Sequence, residues 1–334
     1  MVYLEFSIGH GQLSVTADVY RPAKGFWARV RQPNPEPLRH AFAARPLDAE
    51  VRSFMPSVPL VAGNILKVKA PESDLLALGC GDVDGDSNLE LIAVGRGAIH
   101  LGRIRSGAFV ASARRSWSAL SPIAAAPLRE PIANVSLRAG RFVDVGITDR
   151  ARGLRLNARL EPLATLDAPM PWPGNGCVDV YQTLLGRRER PCTSSDAPSI
   201  APQYDYRGDA IAGASIVDRA GALQQYRALR AAKEHHVDLH SSRGGRARVE
   251  GLGAQLAMGD LDGDGAPELL ASTPSLNPST DALLIYTWRE PAAPVERLRI
   301  AAAGGVSAIS TCPAEDNGRA LVVAAVGGEL WLIR

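Results

Sequence analysis

The stretch "LLALGCGDVDGDSNLELIAVG", residues 75–95, sets four carboxylates, Asp82, Asp84, Asp86 and Glu90, between two apolar segments. A second copy, "MGDLDGDGAPELLA" at residues 258–271, repeats them at the same offsets as Asp260, Asp262, Asp264 and Glu268. Both copies read D-x-D-G-D-x-x-x-E. Alternate carboxylates converge when such a segment coils tightly, and Gly85 and Gly263 permit the positive φ that a tight turn needs. Hard oxygen donors in this number suit Ca²⁺, which takes about six to eight oxygens in a flexible shell. The seventh loop residue, Asn88 or Ala266, then offers its backbone carbonyl. An EF-hand is excluded, because that loop needs a bidentate Glu at position twelve and flanking helices. Position twelve is Ala93 in one copy and Ala271 in the other, and the flanks look like strands. A solvated acidic turn without an ion is the plainer alternative, since Asp and Gly are ordinary turn residues. The duplication at identical offsets argues against it.

Outward from these loops the chain is dominated by short apolar segments rich in Val, Ile and Leu, such as "YLEFSIG", "AIHLGRI", "FVDVGIT", "ALLIYTW" and "ALVVAAV", punctuated by Gly, Asp, Asn or Pro. A hairpin pattern recurs: an apolar strand, a Gly turn, and a second strand often ending in Arg. Six copies are visible, including "SIGHGQLSVTADVYRPAKGFWARV" near the N-terminus and "AAVGGELWLIR" at the C-terminus. Recurrent hairpins that cannot bury their faces alone predict a sheet-based array such as a propeller. The Pro-rich stretch 167–206 reads as an insertion between units. Helical periodicity is scarce. "PLDAEVRSFM" (46–55) fits one short helix; "ALQQYRALRAAKEHH" (222–236) has helical spacing, but its position after a Gly turn favours a strand at its start.

"GDVDGDSNLELIAVG" and "GDLDGDGAPELLAST" resemble the FG-GAP/VCBS repeats of integrin-like β-propellers. The resemblance implies an all-β fold, a β-propeller of four-stranded blades, about six to seven of them, with calcium loops where blades begin. It implies two Ca²⁺ sites, one held by Asp82, Asp84, Asp86, Asn88 and Glu90 and one by Asp260, Asp262, Asp264, Ala266 and Glu268. Ser87 stands where the family prefers Gly, a preference that Gly265 keeps. The expected organisation is a single propeller over 1–334, with a divergent N-terminal β segment (1–60) contributing to ring closure and the repeats spanning 61–334. The last stretch supplies about three strands, so N-terminal strands are expected to complete that blade, because an open sheet edge invites aggregation.

The chain has 334 residues, 37 Lys and Arg against 35 Asp and Glu, so its charge is nearly balanced. The arginines are dispersed, which excludes a nucleic-acid stripe or a polybasic membrane patch. No segment is long and apolar enough for a transmembrane span, and residues 1–12 have no signal-peptide pattern. The four cysteines, Cys80, Cys177, Cys192 and Cys312, contain no C-x-x-C pair. Cys177 and Cys192 flank a loop-like stretch that a disulfide can bridge. Sequence leaves three complete pairings, and buried free thiols, open.

Catalytic signals are thin: no G-x-S-x-G elbow and no phosphate-binding Gly loop occurs. His235, His236 and His240 would offer transition-metal ligands only on a helix. Trp27, Trp117, Trp172, Trp288 and Trp331 have core packing as their default role. The functional expectation is a non-enzymatic, calcium-stabilised module binding a protein or glycan outside the cytoplasm or at a cell surface. The alternative is a polysaccharide lyase or glycoside hydrolase on the same scaffold, since fold does not settle function.

Overall fold

The computed structural model describes residues 1–9, 12–21, 36–46, 59–61, 63–86, 88–121, 131–138, 142–150, 152–166, 170–171, 176–180, 187–191, 210–218, 222–231, 235–275, 277–314 and 320–334. Its elements are almost all strands. β1 (Val2–Gly9), β2 (Gln12–Val19) and β3 (Arg39–Pro46) form a three-stranded N-terminal sheet. β4 (Ile65–Lys69) follows, then β5 (Leu75–Gly81), β6 (Glu90–Gly95), β7 (Ala98–Arg105) and β8 (Ala108–Ser116) as one four-stranded sheet, with a single helical turn α1 (Trp117–Leu120) after it. The next sheet is β9 (Ala133–Arg138), β10 (Phe142–Ile147), β11 (Gly153–Leu156) and β12 (Pro162–Leu166). A three-stranded sheet of β13 (Met170–Pro171), β14 (Gly176–Val180) and β15 (Arg187–Pro191) comes next. β16 (Ala210–Val217), β17 (Leu223–Ala231), β18 (His236–Ser241) and β19 (Arg246–Val249) form a further four-stranded sheet. β20 (Leu256–Gly259), β21 (Glu268–Ser272), β22 (Ala282–Thr287) and β23 (Val295–Ala301) form another. β24 (Val306–Ala314), β25 (Ala320–Val326) and β26 (Glu329–Ile333) take β4 as their fourth strand.

This is the arrangement of propeller blades, and burial explains it. A sheet covered on both faces reads as a continuous apolar run, and every residue of β6 and β25 is buried. The period of two splits each run between two layers. In β25, Ala320, Val322, Ala324 and Val326 pack toward β20–β23, while Leu321, Val323 and Ala325 pack toward β5–β8. In β6, Ile92 and Val94 join the layer shared with β9–β12, and Leu91 and Ala93 join the layer shared with β24–β26. The core is therefore a series of slabs between neighbouring sheets, not one central mass. The first strands β5, β9, β16, β20 and β24 all line one small axial cavity, at residues 76–78, 132–134, 210–211, 254–256 and 308–309.

The C-terminal strand pairs with β4, the strand just before β5 in the chain. β26 pairs antiparallel with β4, from Glu329–Lys69 to Ile333–Ile65. The strand that completes the last sheet is β4, at 65–69, which lies past the 1–60 segment expected to contribute to closure. Within 1–60, β1, β2 and β3 pair with one another. Cys80 on β5 and Cys312 on β24 form a disulfide between the first strands of neighbouring sheets, 232 residues apart in sequence. Cys177 lies in β14, and Cys192 lies outside the described residues.

One reading of the sequence needs correction, and another holds over a longer stretch. The stretch taken as an insertion carries β13–β15, whose prolines and short length hid the strand pattern. The strand expected at the start of 222–236 runs over 223–231, paired on both sides by β16 and β18, with sheet packing rather than helical spacing deciding it. The proposed helix at 46–55 lies almost wholly outside the described residues. Trp117, Trp288 and Trp331 are buried; Trp117 Nε1 donates to Gly95 O (3.0 Å), and Trp288 meets Tyr226 edge-on. Trp27 and Trp172 lie outside the described residues. No helix among the described residues is long and apolar enough to cross a membrane.

Candidate metal centres

Both acidic loops connect the first and second strands of a sheet, loop 1 (82–89) joining β5 to β6 and loop 2 (260–267) joining β20 to β21. Their backbones fold alike. The glutamate that opens the second strand turns back and accepts an N–H from the second loop residue: Glu90 Oε2 from Val83 N and Glu268 Oε2 from Leu261 N, both at 2.7 Å. The third aspartate accepts from the backbone two residues on, Asp86 from Asn88 N (2.9 Å) and Asp264 from Ala266 N (2.8 Å). Gly85, Gly263 and Gly265 have φ of 79°, 72° and 79°, the left-handed region that glycine adopts without steric cost.

The carboxylates gather in both loops, in different subsets. In loop 1, oxygens of Asp82, Asp84 and Asp86 lie within 4.8 Å of one another, and all three residues are exposed. In loop 2 the gathered set is Asp260, Asp262 and Glu268, partly or fully buried. The fourth carboxylate of each loop goes to an arginine. Arg103 on β7 donates from Nε to Glu90 Oε1 (2.5 Å) and from Nη2 to Asp84 Oδ2 (3.0 Å), and its Nη2 stands 2.6 Å from Asp86 Oδ2. Both oxygens of Glu90 are thereby engaged. Arg289, beyond the end of β22 and half-exposed, donates from Nε to Asp264 Oδ2 (2.7 Å) and stays 3.8 Å from Asp262.

Loop 2 keeps two buried oxygens without a partner, Glu268 Oε1 and Thr287 Oγ1. These residues face each other across the β21–β22 ladder and are 0% and 2% exposed. Burial, reinforced by Asp262, Asp260 and Asp264, pushes the Glu268 carboxyl up to about 9; burial and Asp264 push Asp262 up to about 6. A buried carboxylate oxygen beside two further carboxylates costs free energy unless it is paired or a cation neutralises it. By that measure the donors of loop 2 fit a hard divalent cation. Loop 1 does not fit in the same way, because a guanidinium already answers its buried glutamate. Sequence reading missed Arg103, Arg289 and Thr287. Each lies thirteen or more residues from the carboxylate it serves or faces, and only sheet register places it there.

The other candidates resolve into structural roles. His236 and His240 sit on strand β18, where four residues span about 13 Å, so they cannot share an ion. His236 Nε2 lies 3.3 Å from Asp238 Oδ2, and Arg230 Nη2 lies 2.9 Å from His235 Nδ1. Asp144 is fully buried in a two-bond pair with Arg155 (2.8 and 3.0 Å). Toward the loop-bearing ends of the first strands the axial cavity widens to about 170 Å³, lined by polar Asn134, Ser136, Ser310 and Thr311 among apolar residues. Among the described residues, no acid, base or aromatic stands in that lining.

Comparison with known proteins gives fold-level likeness. No family model matches the chain, and no curated protein matches it. Among solved structures, a virginiamycin B lyase from Staphylococcus aureus aligns with 81% of this chain and 98% of its own, at 9% identity and a TM-score of 0.44. The Kuenenia stuttgartiensis hydrazine synthase aligns with 77% of this chain and 75% of its own, at 10% identity and a TM-score of 0.46. A nidogen/laminin complex aligns with 90% of this chain and 94% of its own, at 10% identity and a TM-score of 0.40.

Proposed function

We propose that the chain is a six-bladed propeller, stabilised by calcium in loop 2, that serves as a binding or scaffold module for a protein partner in an oxidising, extracytoplasmic compartment. The Cys80–Cys312 disulfide supports the compartment, since such bonds persist where thiols are not kept reduced. The unpaired Glu268 Oε1 among Asp260 and Asp262 supports a calcium ion in this reading. In this reading the ion neutralises the carboxylates and pins the turn into its blade, with no step of chemistry assigned to it.

The binding role rests on the N-terminal sheet. Its register puts Val2, Leu4 and Phe6 beside Val19, Ala17 and Val15, and these beside Arg39, Ala41 and Ala43, on one face. Val2, Leu4 and Phe6 are 61%, 52% and 63% exposed among the described residues. A contiguous apolar face of this kind marks an interaction surface. With Phe6 its sole aromatic, it suits a protein surface better than the stacking platform that sugars need. Screening protein and glycan arrays with the wild type and with a Leu4→Asp/Phe6→Asp variant tests this. A protein ligand lost in the variant supports the reading; a glycan ligand that the variant retains overturns it.

A further inference from the structure

We infer that Arg103 takes the place of a second cation, so that loop 1 is closed by a side chain and the protein binds one divalent ion, in loop 2, and not two. The difference that decides the buried glutamate lies at one register position. Glu268 faces Thr287 across β21 and β22. In the other sheet Leu91 faces Gly102, which sets Arg103 beside Glu90 at the position where loop 2 has Thr287. A short hydroxyl there leaves Glu268 Oε1 unpaired; a guanidinium there fills the space and bonds the glutamate.

Arg103 does more than neutralise one group. It reaches Glu90, Asp84 and Asp86 together, and its side chain is 20% exposed. The planar fork of a guanidinium suits such convergent carboxylates, and bonds between ionised partners are the stronger kind. A divalent ion entering loop 1 meets a fixed positive charge in the same small space and must break those contacts to displace it. Arg289 has no such effect on loop 2. It is half-exposed and engages Asp264 from the rim, leaving Asp260, Asp262 and Glu268 gathered. The count of one ion rests on the loop 2 reading; the role of Arg103 does not.

The test is the number of calcium ions bound per disulfide-intact full chain, measured by equilibrium dialysis and native mass spectrometry. The wild type is expected to bind one ion and Glu268→Gln none. Arg103→Thr, which gives loop 1 the residue of loop 2, is expected to bind two; Thr287→Arg, the reverse exchange, none. Arg103→Gln keeps most of the side chain without its charge, and it too is expected to gain an ion. It guards against misfolding of the shorter variant, which circular dichroism detects. The double variant Arg103→Thr/Glu268→Gln, expected to bind one, assigns the gained ion to loop 1. Two ions in the wild type, or one ion in both Arg103 variants when folded, overturns the inference. A wild type that binds none while Arg103→Thr binds one sinks the loop 2 reading and leaves the role of Arg103 standing.

Discussion

Loops 1 and 2 begin from nearly the same sequence, share three backbone-to-carboxylate hydrogen bonds, and are held by different means. Loop 1 is secured by protein groups: Arg103 gathers its carboxylates, and Cys80, at the end of the strand that leads into it, is bonded to Cys312. Loop 2 has a hydrogen bond where loop 1 has the disulfide, from Thr311 Oγ1 to Met258 O (3.0 Å), and unpaired oxygens where loop 1 has the arginine. A motif thus specifies a turn, while the residue across the ladder decides whether that turn needs an ion.

The comparison breaks most visibly at the disulfide. Cys312→Ser should cost about 5 kcal/mol by the chain-entropy estimate for so long a loop, read by urea unfolding, with calcium affinity at loop 2 unchanged. A matching loss of calcium affinity would show that the loops are not independent. Next in size, calcium at roughly a thousand times its dissociation constant should stabilise the wild type by about 4 kcal/mol, raising Tm relative to chelator. Glu268→Gln should erase that rise, and Asp84→Asn should leave it. Arg103→Ala leaves the buried Glu90 without its cation and should cost about 3 kcal/mol in chelator, with part restored by calcium.

A further test is of pH, and its sign differs between the loops. Glu268 is raised from the usual 4.5 to about 9, so without calcium the folded state holds a proton that the unfolded chain releases. That contribution is complete below pH about 4.5 and is lost as pH rises toward 9. Asp86 is lowered, chiefly by the Asn88 N–H and also by Arg103, so its contribution is present above the usual 3.8 and is lost as pH falls. Tm against pH in chelator, for Glu268→Gln and Asp86→Asn, separates the two. A parallel response in both variants would remove the distinction.

The sheet array was legible because "LELIAVG" and "ALVVAAV" are too continuously apolar for anything but a strand covered on both faces. The loops were legible because their spacing repeats. β4 was not, since "ILKVK" buries only Val68 and looks like a solvated strand until β26 lies beside it. Cys80 gave no hint of Cys312, because their approach depends on the first and last sheets becoming neighbours. Arg103 was hidden for a related reason: it reaches Glu90 through the register of β6 and β7, not through spacing along the chain.

The sheet in which β26 meets β4 also defines how the molecule bears tension. The pair runs antiparallel with Ile65 opposite Ile333, so a pull on the chain before β4 and on the C-terminus acts on the same end of the ladder. Such a load peels the pairs one after another, the mechanically weak direction. The Cys80–Cys312 bond lies inboard of both strands, so extension stops at that bond, once β25 and the start of β5 have also been drawn out. The stretch between the two cysteines, with both acidic loops inside it, then carries none of the force.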